Sequence, residues 1–208
     1  MCALVALFAF SACKEEEKDS SFDFYSAKSE VETADSYTRS YLNNLQVNNS
    51  SNETLSGYVT MAKDSFASAL SILQTCNTLT SSFASLGEED QDIKDSLVQS
   101  ATKFSIVYEN TNITIEHSED KKYFSTKTEN SSNFMLVEYA KLDEGKYACQ
   151  IVIKDFVENC YDIMQLMFHG YSGSFVIDNG ANTYASIYLA DVESENFPMN
   201  NGDIKYSF

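Results

Sequence analysis

The chain changes from helical to alternating hydrophobic spacing near residue 104. From about Ala27 to Val47, apolar residues recur at steps of three and four, which predicts an amphipathic helix. A second series of mainly apolar residues at the same steps predicts a helix of about 30 residues that ends at Gly87. Its members are Val59, Ala62, Phe66, Ala69, Leu73, Cys76, Thr80 and Phe83. An acidic run, 88–92, suits the start of a third helix, which Ile93, Leu97, Ala101 and Phe104 continue.

Beyond this point the hydrophobic period is two, which predicts strands separated by short polar turns. The predicted strands are 104–109, 113–117, 123–128, 134–141, 146–154, 174–177 and 181–191, with 204–208 as a candidate edge strand. Residues 156–168 fit either period, and the Glu158-Asn159 turn favours a strand. Short turns favour antiparallel pairing. We therefore predict an α+β domain in which N-terminal amphipathic helices pack on an antiparallel β-meander.

The first thirteen residues, MCALVALFAFSAC, are apolar except for Ser11. This run is too short to cross ~30 Å of hydrocarbon, which takes ~20 helical residues. Its length and its small residues before Cys13 are typical of a signal peptide, although a buried N-terminal helix is an alternative. The residues Phe10-Ser11-Ala12-Cys13 resemble the lipobox of bacterial lipoproteins. The resemblance implies that residues 1–12 are removed and that Cys13 is lipidated.

A highly charged segment, 14–21, follows Cys13 and has too little apolar surface to fold. We interpret residues 13–26 as the lipidated cysteine with a polar tether, and residues 27–208 as a single domain. The order Cys, Lys, acidic run is also similar to a signal that sends some lipoproteins to the outer face of an outer membrane. A generic polar spacer is the alternative.

Composition then limits the partners of this domain. The 208 residues include 14 basic and 31 acidic side chains, for a formal net charge of −17. Nucleic-acid binding requires a basic stripe that this sequence lacks, and the charge also disfavours adhesion to anionic headgroups. We expect a cell-envelope protein that contacts a membrane through lipid on Cys13 and does not bind nucleic acid.

Candidate chemistry is sparse, and no catalytic, cofactor-binding or metal-binding motif stands out. Two sets have suitable residue types: a nucleophile set of Cys160, Asp162 and His169, and a metal set of His117, Glu119 and Asp120. Ordinary strand ends and polar turns explain both sets. The sequence does not choose a disulfide among Cys76, Cys149 and Cys160.

The preferred interpretation is a non-enzymatic binding or interaction domain whose partner is a protein, a glycan or an apolar ligand. The first alternative is a carrier that holds an apolar or lipid ligand in a cavity between helices and sheet. Its candidate lining residues are Met135, Met164, Met167 and Phe168, since methionine adapts to irregular ligands. The second alternative is an envelope or extracellular hydrolase.

Overall fold

The computed structural model describes residues 21–48, 50–51, 53–142, 145–169, 172–179 and 184–189. The predicted leader, Cys13, most of the tether and the candidate edge strand 204–208 lie outside this part of the chain. Within it, no helix combines the length and the apolar content that crossing a membrane would take.

Two long helices precede the sheet, in agreement with the predicted fold class. They are α1 (Phe24–Asn48) and α2 (Glu53–Ser82), and the short α3 (Gln91–Ser96) follows two 3₁₀ turns. Helix α1 begins before the predicted Ala27, because Asp23 Oδ1 accepts a hydrogen bond from the Ser26 N–H at 3.0 Å. The buried side chain of Phe22 extends the packed domain further toward the N-terminus.

The described strands form one antiparallel sheet in which each strand pairs with its neighbours in sequence. The nine strands are β1 (Val98–Gln99), β2 (Lys103–Tyr108), β3 (Thr111–His117), β4 (Tyr123–Glu129), β5 (Asn133–Lys141), β6 (Tyr147–Asp155), β7 (Cys160–His169), β8 (Ser172–Asp178) and β9 (Tyr184–Leu189). The structure therefore confirms the predicted β-meander.

One face of this sheet, which we call the inner face, packs against the helices. Phe104, Ile115, Val137, Ile151 and Met164 lie on one line of register across it, and each is buried. Two apolar clusters join this face to the helices. One involves strands β5 to β8, and the other involves β2 to β4 with the start of α1 and the end of α2. The opposite face is called the outer face below.

The structure corrects the predicted ends of two helices. Helix α2 ends at Ser82, before Gly87, whose φ of −73° is not the left-handed conformation that ends many helices. Helix α3 ends at Ser96 and does not continue to Phe104. The Ser96 hydroxyl accepts a hydrogen bond from the Val107 N–H at 3.0 Å, which holds this segment at the edge of β2. Leu97 is then extended, and Phe104 lies in β2.

The ambiguous segment 156–168 is a turn followed by strand β7, as favoured above. Asp155 Oδ1 accepts hydrogen bonds from the N–H groups of Val157 and Glu158 at 2.8 and 3.0 Å. Asn159 has a φ of +51°, a conformation that Asn tolerates better than most residues. These contacts reverse the chain, so the methionines that follow enter the sheet.

Candidate functional site

The outer face carries buried apolar side chains although no described helix packs against it. Ala148, Val152 and Met167 point to this face and are 0%, 7% and 5% exposed. None of the three belongs to either apolar cluster that contacts the helices. An uncovered face of an antiparallel sheet ordinarily carries solvated polar residues. These three side chains therefore offer no surface to a partner, whereas Val107 and Tyr161 of the same face are 41% and 37% exposed and make the outer face a candidate interaction surface.

A row of hydrogen-bonded polar side chains crosses the outer face through four strands. The Tyr123 hydroxyl of β4 donates to Glu138 Oε1 of β5 at 2.7 Å. Gln150 of β6 donates to Glu138 Oε2 at 3.2 Å, and Gln165 of β7 donates to Gln150 Oε1 at 2.8 Å. We call these four residues the polar row. Two of the three donors bind Glu138 directly, and the third, Gln165, binds Gln150, so the row fixes the position of that carboxylate.

Register places apolar side chains on both sides of the polar row. Glu138, Gln150 and Gln165 are direct partners across β5, β6 and β7. The residues two positions away from this row on one side are Leu136, Val152 and Ile163, which are register partners of one another. The residues two positions away on the other side are Ala140, Ala148 and Met167. Alternate residues of a strand are about 7 Å apart. The outer face thus presents one polar row between two apolar rows.

Charged residues surround the polar row mainly as pairs. Lys103 pairs with Glu116, and Lys127 contacts Glu129 at 3.0 Å. No lysine or arginine of the described chain pairs with Glu138, whose carboxylate has neutral donors from Tyr123 and Gln150. Glu138 is therefore a partly buried anion without a described counter-charge.

The environment of Tyr123 keeps its hydroxyl protonated. Burial raises the pKa of Tyr123 above its usual range, and the hydrogen bond to the Glu138 carboxylate raises it further. The phenol therefore remains a donor to Glu138 at every pH near neutrality.

The proposed lining of a lipid cavity is not on one face of the sheet. Met164 and Phe168 are buried on the inner face, and Met135 packs there against the same cluster. The Phe168 ring stacks on Tyr41 of α1, with 4.9 Å between centroids. Met167 lies on the outer face instead, because side chains alternate along β7. Three of the four residues therefore pack against the helices as core.

The proposed metal set near His117 does not assemble. No group of three or more metal-ligating side chains occurs among the described residues. Asp120 instead accepts from the Ser118 hydroxyl at 2.6 Å and from the Lys122 N–H at 3.1 Å, and these two bonds lower its pKa. His117 Nε2 is buried without a partner, beside a cleft of about 10 Å³ that has room for about one water molecule.

The proposed nucleophile set is separated along β7. Cys160 and His169 occupy opposite ends of this strand, nine residues apart, which is about 30 Å. Cys160 and Asp162 also project to the inner face while His169 projects to the outer one. The three side chains therefore cannot act on one substrate atom.

The three described cysteines are free thiols, so no disulfide joins them. Cys76 and Cys149 are buried in different apolar clusters, and Cys160 is exposed. Burial raises the pKa of the Cys76 thiol from 9.0 to about 12 and raises that of Cys149 as well. Both buried thiols are therefore packing residues.

Sequence reasoning identified Cys13 as the site residue, and Cys13 lies outside the described residues. It did not identify the polar row. The only sequence signal for that row is the presence of Glu138, Gln150 and Gln165 at positions that alternate with apolar residues. No protein-family model, curated protein or solved structure matches this chain.

Proposed function

We propose that this chain is a lipid-anchored protein of the cell envelope whose α+β domain binds a partner through the outer face. The apolar leader and the residues before Cys13 support the anchor. The binding role depends on one observation. Two large apolar side chains of the outer face, Val107 and Tyr161, are 41% and 37% exposed.

The position of Phe22 supports a short connection between anchor and domain. Its ring contacts Phe104 and His117, with centroids 6.1 and 5.4 Å apart, so it is part of the folded domain. Nine residue steps separate Phe22 from Cys13, and an extended chain of that length spans about 30 Å. Phe104 and His117 belong to the inner face. Phe22 therefore joins the domain at the layer that the helices cover.

The chemistry of the outer face suits recognition better than catalysis. Its polar row offers a carboxylate and two amides held by mutual hydrogen bonds, between rows of apolar side chains. Within this row Glu138 and Gln165 are only partly buried, so their hydrogen-bonded side chains are the polar groups that a partner could contact. The carrier alternative is less favoured because Met167 lies on the outer face, so the four candidate residues do not line one space between helices and sheet.

Site-specific photocrosslinking in intact cells tests the binding role. A photoreactive phenylalanine analogue would replace Tyr161, which lies on the outer face and is 37% exposed. The matched control replaces Tyr25, which lies on α1 and is 87% exposed. We expect a discrete adduct from position 161 and none from position 25. No adduct from position 161, or the same adduct from both, would contradict a binding role for the outer face.

A further inference from the structure

We propose that the C-terminal segment of this chain, residues 190–208, packs across the outer face and covers its buried side chains. The segment would lie over the end of the sheet at which β9 finishes. The opposite end, with Val107 and Tyr161, would remain open to a partner. This cover is independent of the binding role proposed above, because the side chains beneath it are buried whether or not a partner binds.

Burial on the outer face is concentrated toward one end of the sheet. Met167 and Ala148 are 5% and 0% exposed, and Ser125 of β4 is 6% exposed. Val107 and Tyr161 share one line of register at the other end, where they are 41% and 37% exposed. Six residues along β7 separate Met167 from Tyr161, which is about 20 Å. A cover over part of the face explains this difference.

The neighbours of Met167 in the sheet are too small or too far to enclose it. Its register partners are Ala148 and Ser174, which carry two of the smallest side chains. Along β7, the neighbours on the same face are Gln165, held by a hydrogen bond within the polar row, and His169, which is exposed. A methionine flanked in this way on an uncovered sheet would remain largely accessible to water. Another part of the chain therefore lies over it.

Sequence composition identifies which part of the chain can provide this cover. Outside the described residues, two parts are long enough to lie across several strands, 1–20 and 190–208. Residues 14–20 are all charged or polar, Phe22 joins the layer under the helices, and residues 1–12 are the proposed leader. Only the C-terminal part then offers apolar side chains: Val192, Phe197, Met199, Ile204, Tyr206 and Phe208.

Strand β9 ends beside the buried side chains. Its last residue, Leu189, pairs with Gly173 of β8, and Gly173 pairs with Phe168, which adjoins Met167. The segment therefore begins two strand spacings from β7, or about 10 Å. Ser125 on β4 is five spacings from β9, or about 24 Å. The 19 residues that follow Leu189 reach about 60 Å when extended and about 28 Å as a helix, so either form can reach it.

Photocrosslinking within the full chain tests this contact directly. A photoreactive phenylalanine analogue would replace Tyr206, and the matched control would carry it in place of Tyr25 on α1, which is 87% exposed. We expect an adduct within one molecule from position 206 to the outer face of β6 or β7, located by peptide mass spectrometry. Position 25 should give none there. Adducts from position 206 only to the helices or only between molecules, or no adduct, would overturn the proposal.

Oxidation by hydrogen peroxide provides a second test that compares two methionines of β7. Peroxide transfers one oxygen atom to the thioether and leaves water, at a rate that follows the accessibility of the sulfur. Met164 is the control, since it is 0% exposed on the inner face. Both methionines should react slowly in the wild type. In a full chain with Ile204→Asp, Tyr206→Asp and Phe208→Asp, we expect Met167 alone to react at least about tenfold faster.

Rapid oxidation of Met167 in the wild type, or an unchanged rate in the substituted chain, would contradict the proposed cover. If Met164 and Met167 accelerate together, the substituted domain has unfolded, and the crosslink from position 206 in the otherwise unchanged chain decides. Neither test depends on a partner. An adduct from position 161 to another molecule tests the binding role separately, so failure of one proposal can be distinguished from failure of the other.

Discussion

Tyr123 and Glu138 are joined across β4 and β5 by a hydrogen bond of 2.7 Å between the phenol oxygen and the carboxylate. Tyr123→Phe keeps the ring and removes the donor. We expect the free energy of unfolding to fall by about 1 kcal/mol, since a bond to a charged group on a partly exposed face is lost. Urea titration followed by circular dichroism measures this change.

The control for that experiment is Tyr161→Phe, which removes a hydroxyl from the same face outside the polar row. It should change the free energy of unfolding by less than about 0.5 kcal/mol. Equal losses from the two variants would show that the polar row adds nothing specific to the outer face.

Phe22 belongs to the folded domain although it precedes the predicted start at Ala27. The centroid of its ring lies 5.0 Å from that of Phe24 and 6.1 Å from that of Phe104, and the residue is 5% exposed. Because this buried ring would be lost, Phe22→Ala should lower the free energy of unfolding by about 3 kcal/mol. Tyr25→Ala, at a side chain that is 87% exposed, should cost less than about 0.5 kcal/mol. Should Phe22→Ala prove neutral in urea titration, the domain would begin near Ala27 as the sequence predicts.

Thiol labelling distinguishes the three described cysteines. In the processed chain, with Cys13 acylated, a thiol reagent at pH 8 should modify Cys160 rapidly, and Cys76 and Cys149 only on unfolding. Cys160→Ser should therefore abolish the fast phase of labelling. A fast phase that persists in this variant would show that one of the other two thiols is accessible in the folded domain.

The buried thiol of Cys76 gives the stability a defined dependence on alkaline pH. Its pKa rises from 9.0 in the unfolded chain to about 12 in the folded one. Between these values the unfolded state binds fewer protons, so the free energy of unfolding falls as pH rises, by at most about 1.4 kcal/mol per pH unit for this thiol.

Variants of Cys76 and Cys160 isolate that contribution. Cys76→Ala should make the decline of the free energy of unfolding between pH 9 and 12 shallower by at most about 1.4 kcal/mol per pH unit, while Cys149 and the buried tyrosines keep contributing to it. Cys160→Ala, at an exposed thiol, is the matched control for loss of a cysteine. If both variants decline as steeply as the wild type, Cys76 does not titrate on unfolding.

The helices and strands could be predicted where one hydrophobic period extends over many residues. The α2 stripe from Val59 to Cys76 is buried as its spacing indicates, and Cys149 and Ile151 face the helices as alternation indicates. The end of α3 could not be predicted, because it depends on the contact between Ser96 and Val107, eleven residues apart. Periodicity describes one segment at a time and does not include such contacts.

The outer face was beyond sequence analysis for a related reason. The polar row joins Tyr123 to Glu138 over 15 residues and Glu138 to Gln150 over 12, and these pairs meet only because the strand register aligns them. The proposed carrier lining was wrong about Met167 because the segment 156–168 could not be fixed in register. Met167 and Met164 lie on opposite faces of a strand.

The central claim is that this domain is held at a membrane through lipid on Cys13. The most direct test expresses the full chain in a bacterium with labelled palmitate and compares the wild type with Cys13→Ala. Cys160→Ala serves as the control for loss of a thiol. We expect label on the wild type and on Cys160→Ala, and none on Cys13→Ala. Equal label on all three chains, or no label on the wild type, would contradict the claim.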